Sequence, residues 1–266
     1  MRVESYPTLA EAGRSVTDRD RFLGGGTLVM REVNYAPQTI DRILRSDDPA
    51  LREIRADGGR IRIGACVTMT QVMGSGDLSA LAPVARTIGG PAIRNMATVG
   101  GNLFAEHPYG DFATALLALD AEVIRADGQS VAIETFLAQR SAFHGLVAAV
   151  TVPRVSTGEF RFAKVSRTKP KGVSLMAIAA WLPGAPGRVG EARLAFGSMG
   201  PTPLRAKAAE AALQGASLDP EGIRRALETC TEGLAPADDA LSSAWYRREV
   251  APIHLKRLLL NERPGA

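Results

Sequence analysis

Two glycine-rich segments hold most of the chemistry this sequence can offer. The first is Phe22-Leu23-Gly24-Gly25-Gly26-Thr27-Leu28, continued by Val29 and Met30. Three consecutive glycines let the backbone enter positive φ and leave no side chains in the way. Successive N–H groups can then converge on an anion as a nest, helped where a helix starts just after. The same residues also serve a tight strand-to-helix turn that holds no ligand. The second segment, Ala97-Thr98-Val99-Gly100-Gly101-Asn102-Leu103, has similar ingredients: paired glycines, the Thr98 hydroxyl and the Asn102 amide. Two nests suit a pyrophosphate, whose phosphates take donors from more than one side. Neither segment is a G-x-G-x-x-G after a strand or a G-x-x-x-x-G-K-[ST] loop, which disfavours a Rossmann domain and a P-loop. Asp111 follows Pro108-Tyr109-Gly110 at the head of an apolar run. It reads either as an N-cap or as a carboxylate accepting hydrogen bonds from a ribose or a ring substituent.

Other chemistries are disfavoured. The two cysteines, Cys66 and Cys230, are far apart, and His107, His144 and His254 do not pair at metal-ligand spacing. A structural zinc or an iron–sulfur cluster normally needs about four ligands, so no bound metal is expected. The net charge is +4 and the pI near 9.3, but aromatic content is 5% and the arginines are scattered. No basic run alternates with aromatics to stack bases, so a dianionic cofactor or an acidic partner fits better than nucleic acid. No apolar run is long enough for a bilayer and residues 1–17 lack a signal-peptide pattern, which makes the cytoplasm the expected location.

These segments need a scaffold, and 266 residues suffice for more than one domain. Residues 9–14 read as a helix capped by Thr8, residues 21–23 as a strand entering the first glycine segment, and residues 37–44 as a small strand or helix. Residues 51–55 and 60–64 form a hairpin around Asp57-Gly58-Gly59. Helical spacing of Leu81, Val84, Ala85 and Ile88 spans 79–88, ended by Gly89-Gly90. An apolar helix over 112–119 leads to strands at 122–125, 130–133 and 147–152, with Asp127-Gly128 as a turn. Pro, Ser, Thr and Gly cluster at 153–158, which marks a boundary. Strands of an antiparallel sheet follow at 160–165, 174–182 and 192–197, then helices at 204–214, 221–229 and 245–261. In the last helix Leu255, Leu258 and Leu259 share one side, and Arg247, Arg248, Lys256 and Arg257 read as a solvated face.

Longer stretches resemble a known family. Ile88-Gly89-Gly90 through Arg94-Asn95, then the second glycine segment, Asp111 and Ala115-Leu116-Leu117-Ala118-Leu119-Asp120-Ala121 resemble the FAD-binding (medium) subunit of the xanthine dehydrogenase and carbon monoxide dehydrogenase family of molybdenum hydroxylases. Gly24-Gly25-Gly26-Thr27 is similar to that family's first pyrophosphate loop. Lys164-Val165-Ser166-Arg167, Phe196-Gly197-Ser198-Met199 with Pro203-Leu204-Arg205-Ala206, and Ser243-Ala244-Trp245-Tyr246-Arg247-Arg248 resemble its C-terminal signatures, so the likeness covers nearly the whole chain. It implies an α+β protein. An FAD-binding region of PCMH or vanillyl-alcohol-oxidase-like type over 1–156, with subdomains of about 1–50 and 51–156, precedes a domain over 157–266 with an antiparallel sheet and a helical bundle.

The resemblance also implies FAD as cofactor and no catalytic residue of the chain's own. Leu23, Gly24, Gly25, Gly26, Thr27, Leu28, Val29 and Met30, with Thr98, Val99, Gly100, Gly101 and Asn102, would hold the pyrophosphate. Asp111 would serve the sugar or ring, Ile88 and Val147 would line the flavin or adenine pocket, and Lys164 would lie close to the isoalloxazine. A plain surface lysine is the alternative for Lys164. The implied partners are a molybdenum-cofactor large subunit, a [2Fe-2S] small subunit and an external acceptor: NAD, a quinone, oxygen or another protein. Departures from the family pattern are the third glycine of the first loop, Glu106-His107-Pro108, and the short segment 168–173 with Lys169 and Lys171. Two other readings stand beside this one. A self-sufficient flavin-dependent oxidoreductase would need acid–base groups over the flavin, which only His107 and Tyr109 offer. A non-redox nucleotide-binding module is the other.

Overall fold

Local capping and charge pairing organise the first elements. A computed structural model describes residues 1–36, 39–156, 158–168, 172–184 and 187–262. Strand β1 (Arg2–Tyr6) is followed by α1 (Leu9–Ser15), whose Thr8 cap accepts the Glu11 N–H at 3.3 Å and whose inner face buries Leu9 and Ala12. After β2 (Asp20–Phe22) and α2 (Val29–Tyr35), β3 (Arg42–Ser46) inserts between the first two strands as a parallel sheet in the order β1-β3-β2. Arg42 on the central strand pairs with Glu4 of β1 at 2.8 Å and Asp20 of β2 at 2.7 Å, which ties all three strands together. Residues 37–44, open between strand and helix, resolve to a strand from Arg42, with Pro37 and Gln38 outside the described residues.

The hairpin around Asp57-Gly58-Gly59 forms as β4 (Ile54–Asp57) and β5 (Arg60–Gly64), with Gly58 and Gly59 at φ of +53° and +88°. Short helices come next: α3 (Met69–Gly74), α4 (Ala82–Arg86), α5 (Pro91–Arg94) and α6 (Val99–Leu103). Of these only α4 lies where the spacing placed a helix, and it is shorter than 79–88. Beyond α7 (Asp111–Ala118) come β6 (Glu122–Arg125), β7 (Ser130–Ala132), α8 (Ile133–Gln139) and β8 (Val147–Pro153). These strands join the hairpin in an antiparallel sheet ordered β4-β5-β8-β6-β7.

The C-terminal part carries β9 (Phe160–Val165), β10 (Met176–Trp181), β11 (Arg193–Gly197) and β12 (Leu204–Arg205) in one antiparallel sheet. The two-residue β12 makes four strands where three were expected. Helices α9 (Lys207–Leu213), α10 (Arg224–Thr229) and α11 (Ala244–Leu259) follow, and Ile178, Phe196, Leu213, Leu255 and Leu259 share their core. Arg247 departs from the solvated face expected of α11: it is 1% exposed. The chain packs as two compact units, Met1–Ala105 with Ala121–Arg154, and Glu106–Asp120 with Val155–Ala266. Residues 106–120, including the wholly buried α7, thus pack with the C-terminal sheet. Thr157, in the boundary segment 153–158, lies outside the described residues.

Candidate functional site

In the first unit the two glycine segments meet. A Cβ on Gly25 would sit 1.6 Å from the Met96 carbonyl oxygen, and one on Gly24 would sit 3.1 Å from Thr98 Oγ1. Gly26 has φ of +81°, a left-handed conformation that side chains disfavour. Leu23 donates to the Leu44 carbonyl at 2.8 Å and Met30 to the Gly26 carbonyl at 2.9 Å. Between them the N–H groups of residues 24–28 have no hydrogen-bond partner among the described residues, although all five residues are half-buried. Backbone donors in that situation need water or a ligand. Leu23 and Met30 flank Gly26, and Met30 is 42% exposed.

The second segment differs from the nest expected of it. Thr98 is the N-cap of α6, and its hydroxyl accepts the Gly101 N–H at 3.1 Å. Val99 donates to the Val67 carbonyl at 2.8 Å, Gly100 to Ala65 at 2.8 Å and Asn102 to Thr98 at 3.0 Å. The Asn102 side-chain amide also turns back on the Thr98 carbonyl, at 2.8 Å. A one-turn helix directs these donors into its own cap and the neighbouring chain. Gly100 is packed: a Cβ there would meet Ala65 at 2.9 Å. Gly101 is exposed, and a Cβ on it would meet only Thr98 Oγ1, at 3.1 Å.

In the second unit, Asp111 is the first residue of α7, after the Gly110 cap position, and caps nothing with its side chain. Its carboxylate is buried, with Oδ2 2.9 Å from Lys164 Nζ and Oδ1 accepting the Ser174 hydroxyl at 2.5 Å. The Lys164 side chain is 13% exposed, so it is no surface lysine. Its ammonium is largely offset by the carboxylate beside it.

Profile matches decide what this arrangement belongs to. The FAD binding domain in molybdopterin dehydrogenase matches residues 1–155, and the CO dehydrogenase flavoprotein C-terminal domain matches residues 161–261. The chain belongs to the FAD-binding family of the molybdopterin dehydrogenases. Among its relatives, the xanthine dehydrogenase FAD-binding subunit of Escherichia coli O157:H7 is 28% identical, over 95% of this chain and 92% of that one. The carbon monoxide dehydrogenase medium chain of Afipia carboxidovorans is 29% identical, over 77% of this chain and 75% of that one. The carbon monoxide dehydrogenase of Hydrogenophaga pseudoflava, in a form lacking the Mo-pyranopterin moiety, shares the fold with a TM-score of 0.87 at 24% identity, over 97% of this chain and 96% of that one. The flavoprotein is thus an FAD-dependent oxidoreductase subunit with the α+β architecture of these dehydrogenases.

The remaining expected positions of the flavoprotein lie apart from the glycines' own hydrogen bonds. Ile88 is half-buried, and its carbonyl, with that of Gly89, accepts from Arg94 Nη1 at 3.3 and 2.6 Å. Val147 is buried at the start of β8. Its neighbour Ala148 accepts from the Ala65 N–H at 2.9 Å, and Ala65 is the residue on which Gly100 packs. Sequence reading missed Ser174, which has no motif of its own and lies 63 residues from Asp111. It also missed the partners of His107. Nδ1 of that ring is 2.7 Å from Ser198 Oγ, and Nε2 is 2.7 Å from Asp239 Oδ2. The same carboxylate oxygen accepts from Arg247 at 2.7 Å, and Arg247 also donates to the Leu175 carbonyl at 2.9 Å. Lys169, Pro170 and Lys171 lie outside the described residues. No group of three or more His, Cys, Asp or Glu among the described residues could hold a metal ion. No helix among them is long and apolar enough to cross a membrane.

Proposed function

We propose that this chain is the electron-transfer subunit of a molybdenum hydroxylase, taking electrons from iron–sulfur clusters on a [2Fe-2S] small subunit and passing them to an external acceptor. Substrate is oxidised at a molybdenum-cofactor large subunit. The acceptor is NAD, a quinone, oxygen or a protein. FAD supplies the chemistry by taking electrons singly and releasing them in pairs, and the protein sets geometry and electrostatics. The observation that carries the reading is the run of partnerless N–H groups at residues 24–28, which suits a pyrophosphate.

In this reading residues 23–30 hold the pyrophosphate, through the N–H groups of residues 24–28, with Leu23 and Met30 flanking them. Residues 98–102 act differently: Gly101 offers a face without a side chain and the Thr98 hydroxyl keeps its own proton to donate. Ile88 and Val147 belong to the pocket walls. Asp111 and Lys164 meet the cofactor as a hydrogen-bonding pair, since the carboxylate offsets the lysine charge. The division at 156/157 separates the FAD-binding domain from the C-terminal domain. The complex is assigned to the cytoplasm, where the buried cysteines Cys66 and Cys230 stay free thiols.

The test uses purified chain and the complex made by co-expression with its neighbouring subunits. The chain alone is expected to be yellow but not to oxidise purines, aldehydes or carbon monoxide with an artificial acceptor. The complex is expected to bleach its flavin when the correct substrate is added. Turnover of an organic substrate by the chain alone, at about 1 per second or faster, would replace this reading with a self-sufficient flavoenzyme.

A further inference from the structure

The segment that delivers Asp111 is Glu106–Gly110, and within the second unit it is held from one side by His107. Asp239 is already engaged before the histidine reaches it. Its Oδ1 accepts the N–H groups of Leu241 at 2.8 Å and Ser242 at 3.0 Å, and its Oδ2 accepts from Arg247. Burial works against this carboxylate, but Arg247 and the two N–H groups outweigh it and hold its pKa at about 2. Asp239 is therefore an acceptor only. The His107 ring then donates from Nε2, and in the neutral ring Nδ1 accepts the Ser198 hydroxyl.

Arg247 joins this arm to a second one. Its Nε donates to the Leu175 carbonyl, and Leu175 follows Ser174, whose hydroxyl bonds Asp111. A closed circuit results: Asp111, Ser174, Leu175, Arg247, Asp239, His107 and the short chain back to Asp111. Ser198 supports the same place from just beyond the end of β11. It takes φ of +65° just after Gly197, where a Cβ would sit 2.5 Å from Thr114 Oγ1 on α7.

We propose that His107 is a positioning residue for the cofactor site, clamping residues 106–110 between Ser198 and Asp239 so that the Asp111 carboxylate is held in one place. This rests on the reading that Asp111 meets the cofactor. The clamp needs one donor and one acceptor at once. Glutamine supplies both from one planar amide, and leucine supplies neither.

The test measures FAD affinity by titrating FAD back into stripped full-length chain, with thermal unfolding of the stripped protein alongside. His107→Leu is expected to bind FAD about tenfold more weakly, and His107→Gln within about twofold of the parent. Ser198→Gly suits the left-handed backbone and so keeps the fold, and is expected to weaken FAD about threefold. A His107→Leu protein that binds FAD like the parent, or a His107→Gln protein no better than His107→Leu, overturns the clamp. Should His107→Leu fail to fold, Ser198→Gly decides, and parental affinity there overturns the clamp. Asp111→Asn tests the underlying reading separately. If it leaves FAD binding unchanged, that reading falls; if it weakens binding while His107→Leu does not, only the clamp falls.

Discussion

Between Gly24 and Leu28 the backbone N–H groups find no partner among the described residues, whereas from Val99 to Asn102 each one is hydrogen-bonded within the protein. The letters of the two segments are nearly interchangeable, yet their glycines answer different demands. Gly25 and Gly100 are glycine because other backbone or a neighbouring residue stands where a Cβ would go. Gly26 is glycine because of its φ. Gly101 has neither reason: it is helical, and only the Thr98 hydroxyl lies near its missing Cβ. Glycine inside a helix costs about 0.5–1 kcal/mol relative to alanine, so no contact within the described protein accounts for a glycine there, and a close approach from outside is what Gly101→Ala tests. One segment leaves its N–H groups free among the described residues, and the other rests against it through Met96 and Thr98 while Gly101 keeps a bare, exposed face.

The sharpest way to break this comparison is Gly25→Ala. The clash is with a backbone carbonyl, 1.6 Å from the new Cβ, and that carbonyl cannot rotate away as a side chain would. The two segments must separate, at a cost on the order of 3 kcal/mol. The expected protein is less stable and colourless. Absorbance at the flavin band per mole of protein, with urea unfolding, checks both. A yellow Gly25→Ala protein of parental stability would mean that the segments need not touch.

Much of the scaffold was legible because its signals are local. The Thr8 cap, the Asp57-Gly58-Gly59 hairpin and the apolar run of α7 are each written in fewer than about ten residues, where capping and periodicity act. The contact between Gly25 and Met96 is not local, and nothing in either segment announces it. Helices α5 and α6 span only 4 and 5 residues, too short for any periodicity to register. Arg247 shows the same limit in charge. Beside Arg248, Lys256 and Arg257 it looks like part of a wet face, and only its distant partners, Leu175 and Asp239, explain its burial. The candidate site was written in the sequence as two loops and an aspartate. Their differing roles were not, because they depend on which N–H groups the rest of the chain has taken.

A middle-sized effect tests the cap that joins the two segments. Thr98→Ala removes the acceptor for the Gly101 N–H and the methyl that faces Gly25. Loss of such a cap costs about 1 kcal/mol. Thr98→Ser keeps the hydroxyl and is expected to keep most of that stability. Urea midpoints order the variants as parent, serine, alanine. If serine and alanine fall together, methyl packing rather than the cap holds α6 against the first segment.

The smallest change, Gly101→Ala, separates protein from ligand most cleanly because the two expected effects have opposite sign. Within the protein the new methyl meets only the Thr98 hydroxyl at 3.1 Å, and a side-chain oxygen can give by a few tenths of an ångström. Helix α6 then gains alanine's propensity, about 0.5–1 kcal/mol, so the FAD-free protein is expected to melt roughly 1–4 °C higher. If the bare face of Gly101 is where FAD approaches the backbone, the same methyl stands in its way. FAD affinity should fall by at least about fivefold, the lower end of what one badly placed methyl costs. Thermal unfolding of stripped protein and FAD titration on one preparation give both numbers. A Gly101→Ala protein that is both more stable and as tight for FAD would leave the glycine without a ligand reason, and the second segment would then be no more than the support of the first.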